Sequence, residues 1–170
     1  MFNQVTEIEN DFDPNLSRQT NLTKSVSRLA AVQIMYQLSM TDTSVVEVIN
    51  HYESLLTSKT LDESMSMMAA PDTSFVKDLV IGTYPQIESI DEIITKYLDE
   101  SWSIDRIDVL LLNILRCGVY EIKDALSVPP KVVISEYLSI SDAFYDSKIS
   151  GLVNAVLDKV VNDLRPIETN

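Results

Sequence analysis

Between positions 104 and 122 large aliphatic side chains recur at Ile104, Ile107, Leu110, Leu111, Ile114, Leu115, Val119 and Ile122. Steps of three and four residues are the period of an α-helix, and these positions cover more than one of its faces. A helix that is apolar on most sides must be covered on most sides. The rest of the chain has to supply that cover. With 170 residues, 45% of them hydrophobic, it is long enough to build one real core.

The covering elements read as helices too. Leu29, Val32, Met35 and Tyr36 form a stripe from about residue 24 to 38, with Ser25 as a candidate cap. Val45, Val48, Ile49, Tyr52, Leu55 and Leu56 make a second helix after a turn at 41–43. Phe75, Val76, Leu79 and Val80 make a third, with Asp72 and Ser74 as candidate caps and Gly82 near its end. Ile87, Ile90, Ile93, Ile94, Tyr97 and Leu98 follow Pro85. After the long apolar helix, Pro129 and Pro130 suit the first turn of the next one, whose inward side is Val133, Ile134, Tyr137, Leu138, Ile140 and Phe144. A last stripe runs from Ile149 to Leu164 and stops at Arg165-Pro166. Residues 57–72 read as a long surface loop. No segment sustains a period of two, and three glycines are too few for a turn-rich sheet protein. The expectation is an all-α domain at 23–166, with six to seven helices in one core or two small packed bundles. Residues 1–22 are expected to form a flexible acidic tail.

The net charge of −13 argues against nucleic acid, because phosphate binding rests on Lys and Arg. Its distribution argues differently. Residues 14–41 hold Arg18, Lys24 and Arg28 and no acid, a segment of +3 in a chain otherwise at −16. That reversal of sign is the one electrostatic hint of an anionic partner.

Chemistry finds little support. His51 has no second histidine beside it and no nucleophile motif. The single cysteine, Cys117, lies inside the most apolar helix, so it reads as a buried thiol, and no disulfide or cysteine zinc site is available. The acid pairs Asp62-Glu63, Asp91-Glu92 and Asp99-Glu100 read as solvated surface. No phosphate-cradling glycine loop is present. No enzyme, metal or cofactor is expected. The N-terminus is acidic and lacks an apolar core, and the apolar run at 109–120 is too short for a bilayer, so a cytoplasmic address with no membrane is expected.

Several segments together resemble the NusB family. RLAAVQIMYQ at 28–37 is similar to its R-x-x-A-x-Q-x-x-Y signature. FVKDLVIG at 75–82, IDEII at 90–94, Trp102 with Arg106 and NILRCGVYEI at 113–122, VPPKVVISEYLSIS at 128–141 and GLVNAVLDKV at 151–160 follow in family order. The RLAAVQ and NAVLD variants are most like the alphaproteobacterial branch. The resemblance implies a fold of two small helical bundles and a role in transcription antitermination. It implies binding of boxA-type single-stranded RNA together with the ribosomal protein NusE, within an RNA polymerase complex that transcribes ribosomal RNA operons. Carried over by motif, Lys24 and Arg28 would meet phosphates, Gln33 and Asn154 base edges, and Tyr36 would stack or donate its hydroxyl.

Three positions depart from the pattern. Ser25, Val26 and Ser27 stand where many members are arginine-rich, Leu152 stands for a phenylalanine, and Ser135 for an asparagine. Weak RNA binding without a companion protein is therefore expected. Two other readings remain: a protein–protein adaptor that has lost RNA binding, and a relic of the NusB-like domain that some RNA methyltransferases carry.

Overall fold

A computed structural model describes residues 14–57 and 69–166. Within them lie seven α-helices: α1 (Pro14–Met40), α2 (Val45–Thr57), α3 (Thr73–Thr83), α4 (Ile87–Tyr97), α5 (Val109–Asp124), α6 (Pro130–Phe144) and α7 (Ser147–Leu164). Short 3-10 turns at Tyr84–Gln86 and Ile104–Arg106 precede α4 and α5. No strand occurs among the described residues. The apolar segment that constrains the sequence becomes α5, and it is the hub. The N-terminal helices α1 and α3 pack on one side of it, with α2 against α1. Helices α4, α6 and α7 also pack on it, and α7 packs on both α4 and α6. Leu111, Ile114, Leu115, Cys117, Val119 and Ile122 are all buried.

Caps set most of the helix starts. Asp72 accepts from the Phe75 N–H to begin α3, and Asp146 accepts from the N–H groups of Lys148 and Ile149 to begin α7. Ser44 and Glu47 form a reciprocal capping box ahead of α2. Those hydrogen bonds from Ser44 hold the Glu47 carboxyl below its ordinary range. Pro130 occupies the first position of α6, where its missing N–H costs nothing.

Two helix starts differ from expectation, each for a local reason. Helix α1 begins at Pro14, so residues 14–22 of the expected tail are helical. They are mostly polar and exposed, and so leave no apolar stripe to read. Ser25 therefore sits inside a helix, and its hydroxyl donates back to the Asn21 carbonyl. Residues 1–13, and 58–68 of the expected loop, lie outside the described residues. The long helix does not run from 104: Asp108 caps α5 by accepting from the N–H groups of Leu110 and Leu111. Helix α3 ends at Thr83, beside Gly82 as expected, although no turn there requires the glycine. The backbone stays helical through Tyr84, and no glycine has positive φ. What Gly82 provides is room, because a Cβ there would overlap the Tyr120 phenol of α5.

Two predictions follow from this packing. Gly82→Ala should push the Tyr120 ring off α3 and cost about 1–3 kcal/mol, the usual range for overpacking. Urea unfolding will measure the loss, and a Tyr120→Leu background should remove most of it. The second concerns pH. Burial, and then the nearby Glu121 charge, push the Cys117 thiol from 9.0 up to about 12. The native state thus holds that proton more tightly than the unfolded chain. Stability from this group is complete below pH 9.0 and is lost between 9.0 and about 12. Denaturant midpoints should fall across that window, and less steeply in Cys117→Ala.

Candidate nucleic-acid interface

The five residues singled out from sequence do not share one surface. At about 100° per residue, Lys24 and Arg28 point within about 40° of each other around α1, while Gln33 is turned about 140° from Arg28. Tyr36 stands about 60° from Gln33. The helix therefore carries two polar faces, one toward α3 and α6 and one toward solvent.

Arg28 lies on the first face and is buried, at 4% exposure. Its Nε and NH2 nitrogens donate to both oxygens of Glu121, at 2.9 and 2.6 Å for the shorter contacts. Its NH1 donates to Glu136 at 3.1 Å. The Tyr137 hydroxyl completes the group by donating to Glu121 Oε2 at 2.9 Å. Burial alone would lower the Arg28 pKa, but the hydrogen bonds and charge of Glu121, joined by Glu136, carry it above its ordinary value. Burial and the Glu121 charge hold the Tyr137 phenol well above its ordinary value too. The structure thus places the Arg28 guanidinium on two carboxylates inside the protein, where the family resemblance implies a phosphate contact. The residue that reveals the arrangement is Glu121. A carboxylate between Tyr120 and Ile122 in the most apolar helix needs a buried cation, and sequence reasoning passed over it.

Lys24, one turn earlier, is half-exposed. Its Nζ lies 4.0 Å from the centre of the Phe75 ring and 3.7 Å from an Asp72 oxygen. Asp72 also donates its backbone N–H to Ser27, which ties the start of α3 to α1. Beyond Lys24 a groove of about 610 Å³ runs between α1, Phe75 and the start of α6. Its walls include Lys131 and Val132, and both are exposed.

Gln33 and Tyr36 lie on the other face and are exposed, Tyr36 at 40%. Tyr36 is therefore not the core residue its spacing from Val32 allows. It stands near the Tyr145 phenol, which donates to Asp108; burial first, and that hydrogen bond second, raise the Tyr145 pKa. Asn154 is exposed on α7, a helix carried by α5, α6 and α4. Its side chain makes no hydrogen bond to a neighbouring helix end and faces solvent. Leu152, where the family pattern has phenylalanine, is buried at 8% exposure. His51 is exposed and Cys117 buried, as expected. Asp91, expected to be solvated, is instead half-buried and bidentate with Arg116, at 2.8 and 2.6 Å. Among the described residues no group of His, Cys, Asp and Glu is arranged to hold a metal, and no helix is long and apolar enough to cross a membrane.

The fold and surface define a class: an all-helical protein built on a shared central helix, with solvent-facing amide and aromatic side chains on its first helix. The match to known proteins is specific. The chain belongs to the NusB family, whose model matches residues 25–162. It is 38% identical over 152 residues to the transcription antitermination protein NusB of Brucella ovis, spanning 89% of this chain and 87% of that one. The Brucella anthropi protein of the same name is also 38% identical, with 89% of each chain covered. Among solved structures, T. maritima NusB superposes with a TM-score of 0.66 at 25% identity, covering 85% of this chain and 94% of that one. NusB in a crystal structure of antitermination factors NusB and NusE with double-stranded RNA gives 0.63 at 24% identity, covering 86% and 98%, and so supports the shared fold.

The buried ion group yields a stability prediction. Glu121→Met or Arg28→Met should each cost about 3–5 kcal/mol, because each strands a buried charge. Arg28→Met combined with Glu121→Met should cost less than the sum of the two single changes. Thermal and urea unfolding of the cycle will test this, and additive losses would contradict the pairing.

Proposed function

We propose that this chain is a transcription antitermination factor that binds boxA-type single-stranded RNA together with NusE, in the cytoplasm, as part of an RNA polymerase antitermination complex. It performs no catalysis. The observation that carries this reading is the family match along nearly all of the helical region, with relatives named for antitermination on both sides of the comparison in length.

The geometry supports a division of labour among the site residues. Gln33 offers an amide to base edges, and Tyr36 offers a ring to stack on and a hydroxyl to donate. Asn154 offers a second amide from α7. Lys24 supplies a half-exposed charge to a phosphate. Arg28 acts through the others, by fixing the rotation of α1. With so few free cations on this surface, a partner protein supplies much of the affinity.

Fluorescence anisotropy with a boxA-type RNA, with and without NusE, tests the reading. Tyr36→Ala should weaken binding about 5- to 20-fold, within the range for loss of one base–aromatic stack. Lys24→Ala should lower the slope of log affinity against log salt by about 1. Both variants should keep the wild-type unfolding midpoint. Equal RNA affinity with and without NusE would refute the need for a companion. The burial of Arg28 favours one second reading, an adaptor without RNA contact, and it is selected if Tyr36→Ala and Lys24→Ala leave RNA affinity unchanged while NusE still binds.

A further inference from the structure

Where α1 passes the start of α5, two phenols and a carboxylate meet at the surface. Tyr36 of α1 is 40% exposed. Tyr145 lies at the corner between α6 and α7, and its phenol is close enough to Tyr36 for the charge of one to act on the other. Asp108 is the exposed cap of α5 and accepts from the Tyr145 hydroxyl. Its hydrogen bonds are one-sided. Oδ1 accepts from the Leu110 and Leu111 N–H groups, at 3.0 and 3.3 Å, and from Tyr145 as well. Among the described residues nothing donates to Oδ2. Three donors on one oxygen hold the carboxylate in one orientation and leave the other oxygen as an unfilled acceptor. The same bond pins the Tyr145 ring, which also packs on the core.

Tyrosine rings beside a held acceptor suit a nucleobase of single-stranded RNA. Its face stacks on a ring, and its edge is read by hydrogen bonds. A pinned ring has little rotamer freedom left to lose on stacking. An open carboxylate oxygen takes only a donor. Cytosine, adenine and guanine each carry an exocyclic amino group. Uracil carries none, and flanks its one N–H with carbonyl oxygens that a carboxylate repels. Asp108 also repels phosphates, so it contributes choice among bases rather than affinity.

We propose that Asp108 is a base-selecting residue of the RNA site. One nucleobase lies against the Tyr36 and Tyr145 rings and donates its exocyclic amino group to Asp108 Oδ2. That position therefore accepts cytosine, adenine or guanine and disfavours uracil. Tyr145 is a positioning residue, because its hydroxyl ties the carboxylate to the ring. The inference rests on the RNA binding proposed above and deepens it.

The experiment uses the full chain with NusE and a fluorescent boxA-type RNA, read by anisotropy. In competing RNAs each adenosine, guanosine and cytidine is replaced in turn by nebularine, inosine or zebularine, which lack only the exocyclic amino group. One replacement should weaken binding about 5- to 20-fold, toward the lower end of the range for reading a base edge. Uridine at that position should be penalised as well. In Asp108→Asn the three donors still require an oxygen, so the amide turns its NH2 into the place of Oδ2. There the amino-free analogue should bind within about 2-fold of the natural base, since the matching acceptor is gone. The penalty on uridine should disappear too. Tyr145→Phe keeps the ring and releases the carboxylate, so it should lower the discrimination at that position and leave affinity for the amino-free RNA unchanged. Asparagine caps a helix as well as aspartate does, and unfolding midpoints check that both variants keep the fold. Analogue losses equal in wild type and Asp108→Asn at every position overturn the proposal while RNA binding stands. Discrimination that Tyr145→Phe leaves intact overturns the positioning role. Weaker NusE binding by Asp108→Asn, alike for every RNA, overturns the base contact, because the open oxygen then serves the protein partner. Absence of RNA binding by the wild type with NusE overturns the function proposed above and this inference with it.

Discussion

One buried guanidinium organises this molecule. Arg28 of α1 grips Glu121 of the central helix and Glu136 of α6, and the Tyr137 hydroxyl donates to Glu121 as well. Hydrophobic burial drives the association of these helices, but it is indifferent to small rotations, since one aliphatic stripe slides on another at little cost. A charge is not indifferent. If α1 turned, the Arg28 guanidinium and the Glu121 carboxylate would both be left unpaired in an apolar interior, which is among the most expensive arrangements a protein can adopt. The ion group therefore sets the azimuth of α1 more than it adds net stability.

That azimuth decides what solvent meets. Because Arg28 faces inward, Gln33 and Tyr36 must face outward on the same helix, and Lys24 must lie at the edge against Phe75 and Asp72. What α1 shows to solvent is thus a consequence of the core. A substitution at Arg28, Glu121 or Tyr137 would change which side chains of α1 solvent meets.

Much of the fold is legible in the sequence, because its helices bury long regular stripes. Stripes such as Ile87–Leu98 and Ile149–Leu164 announce themselves through period alone. What escapes is whatever period does not encode. Residues 14–22 are helical without an apolar face, so nothing marks them. Asp108 looks like one more acid until its two backbone partners are seen. Gly82 marks the end of α3, but the room it leaves for Tyr120, distant in sequence, is not legible there. The site is less legible for the same reason. Motif spacing places Arg28 beside Gln33 and Tyr36, but only the three-dimensional pairing with Glu121 reveals that one side chain faces in and the others out.

The passage from α3 through the 3-10 turn at Tyr84–Gln86 into α4 has a mechanical consequence. The chain crosses from the N-terminal set of helices to the C-terminal set through this one turn with no loop between, and Gln86 alone leaves the helical dihedrals. Gln86 accepts from Lys123 there and donates to Asp124, both at the end of α5. The two halves are thus joined at one end by a stiff covalent elbow and at another by the Arg28 clamp. Two separated fixings remove the freedom to twist that either alone would leave. Twisting one half against the other would have to break one of these two sets of hydrogen bonds.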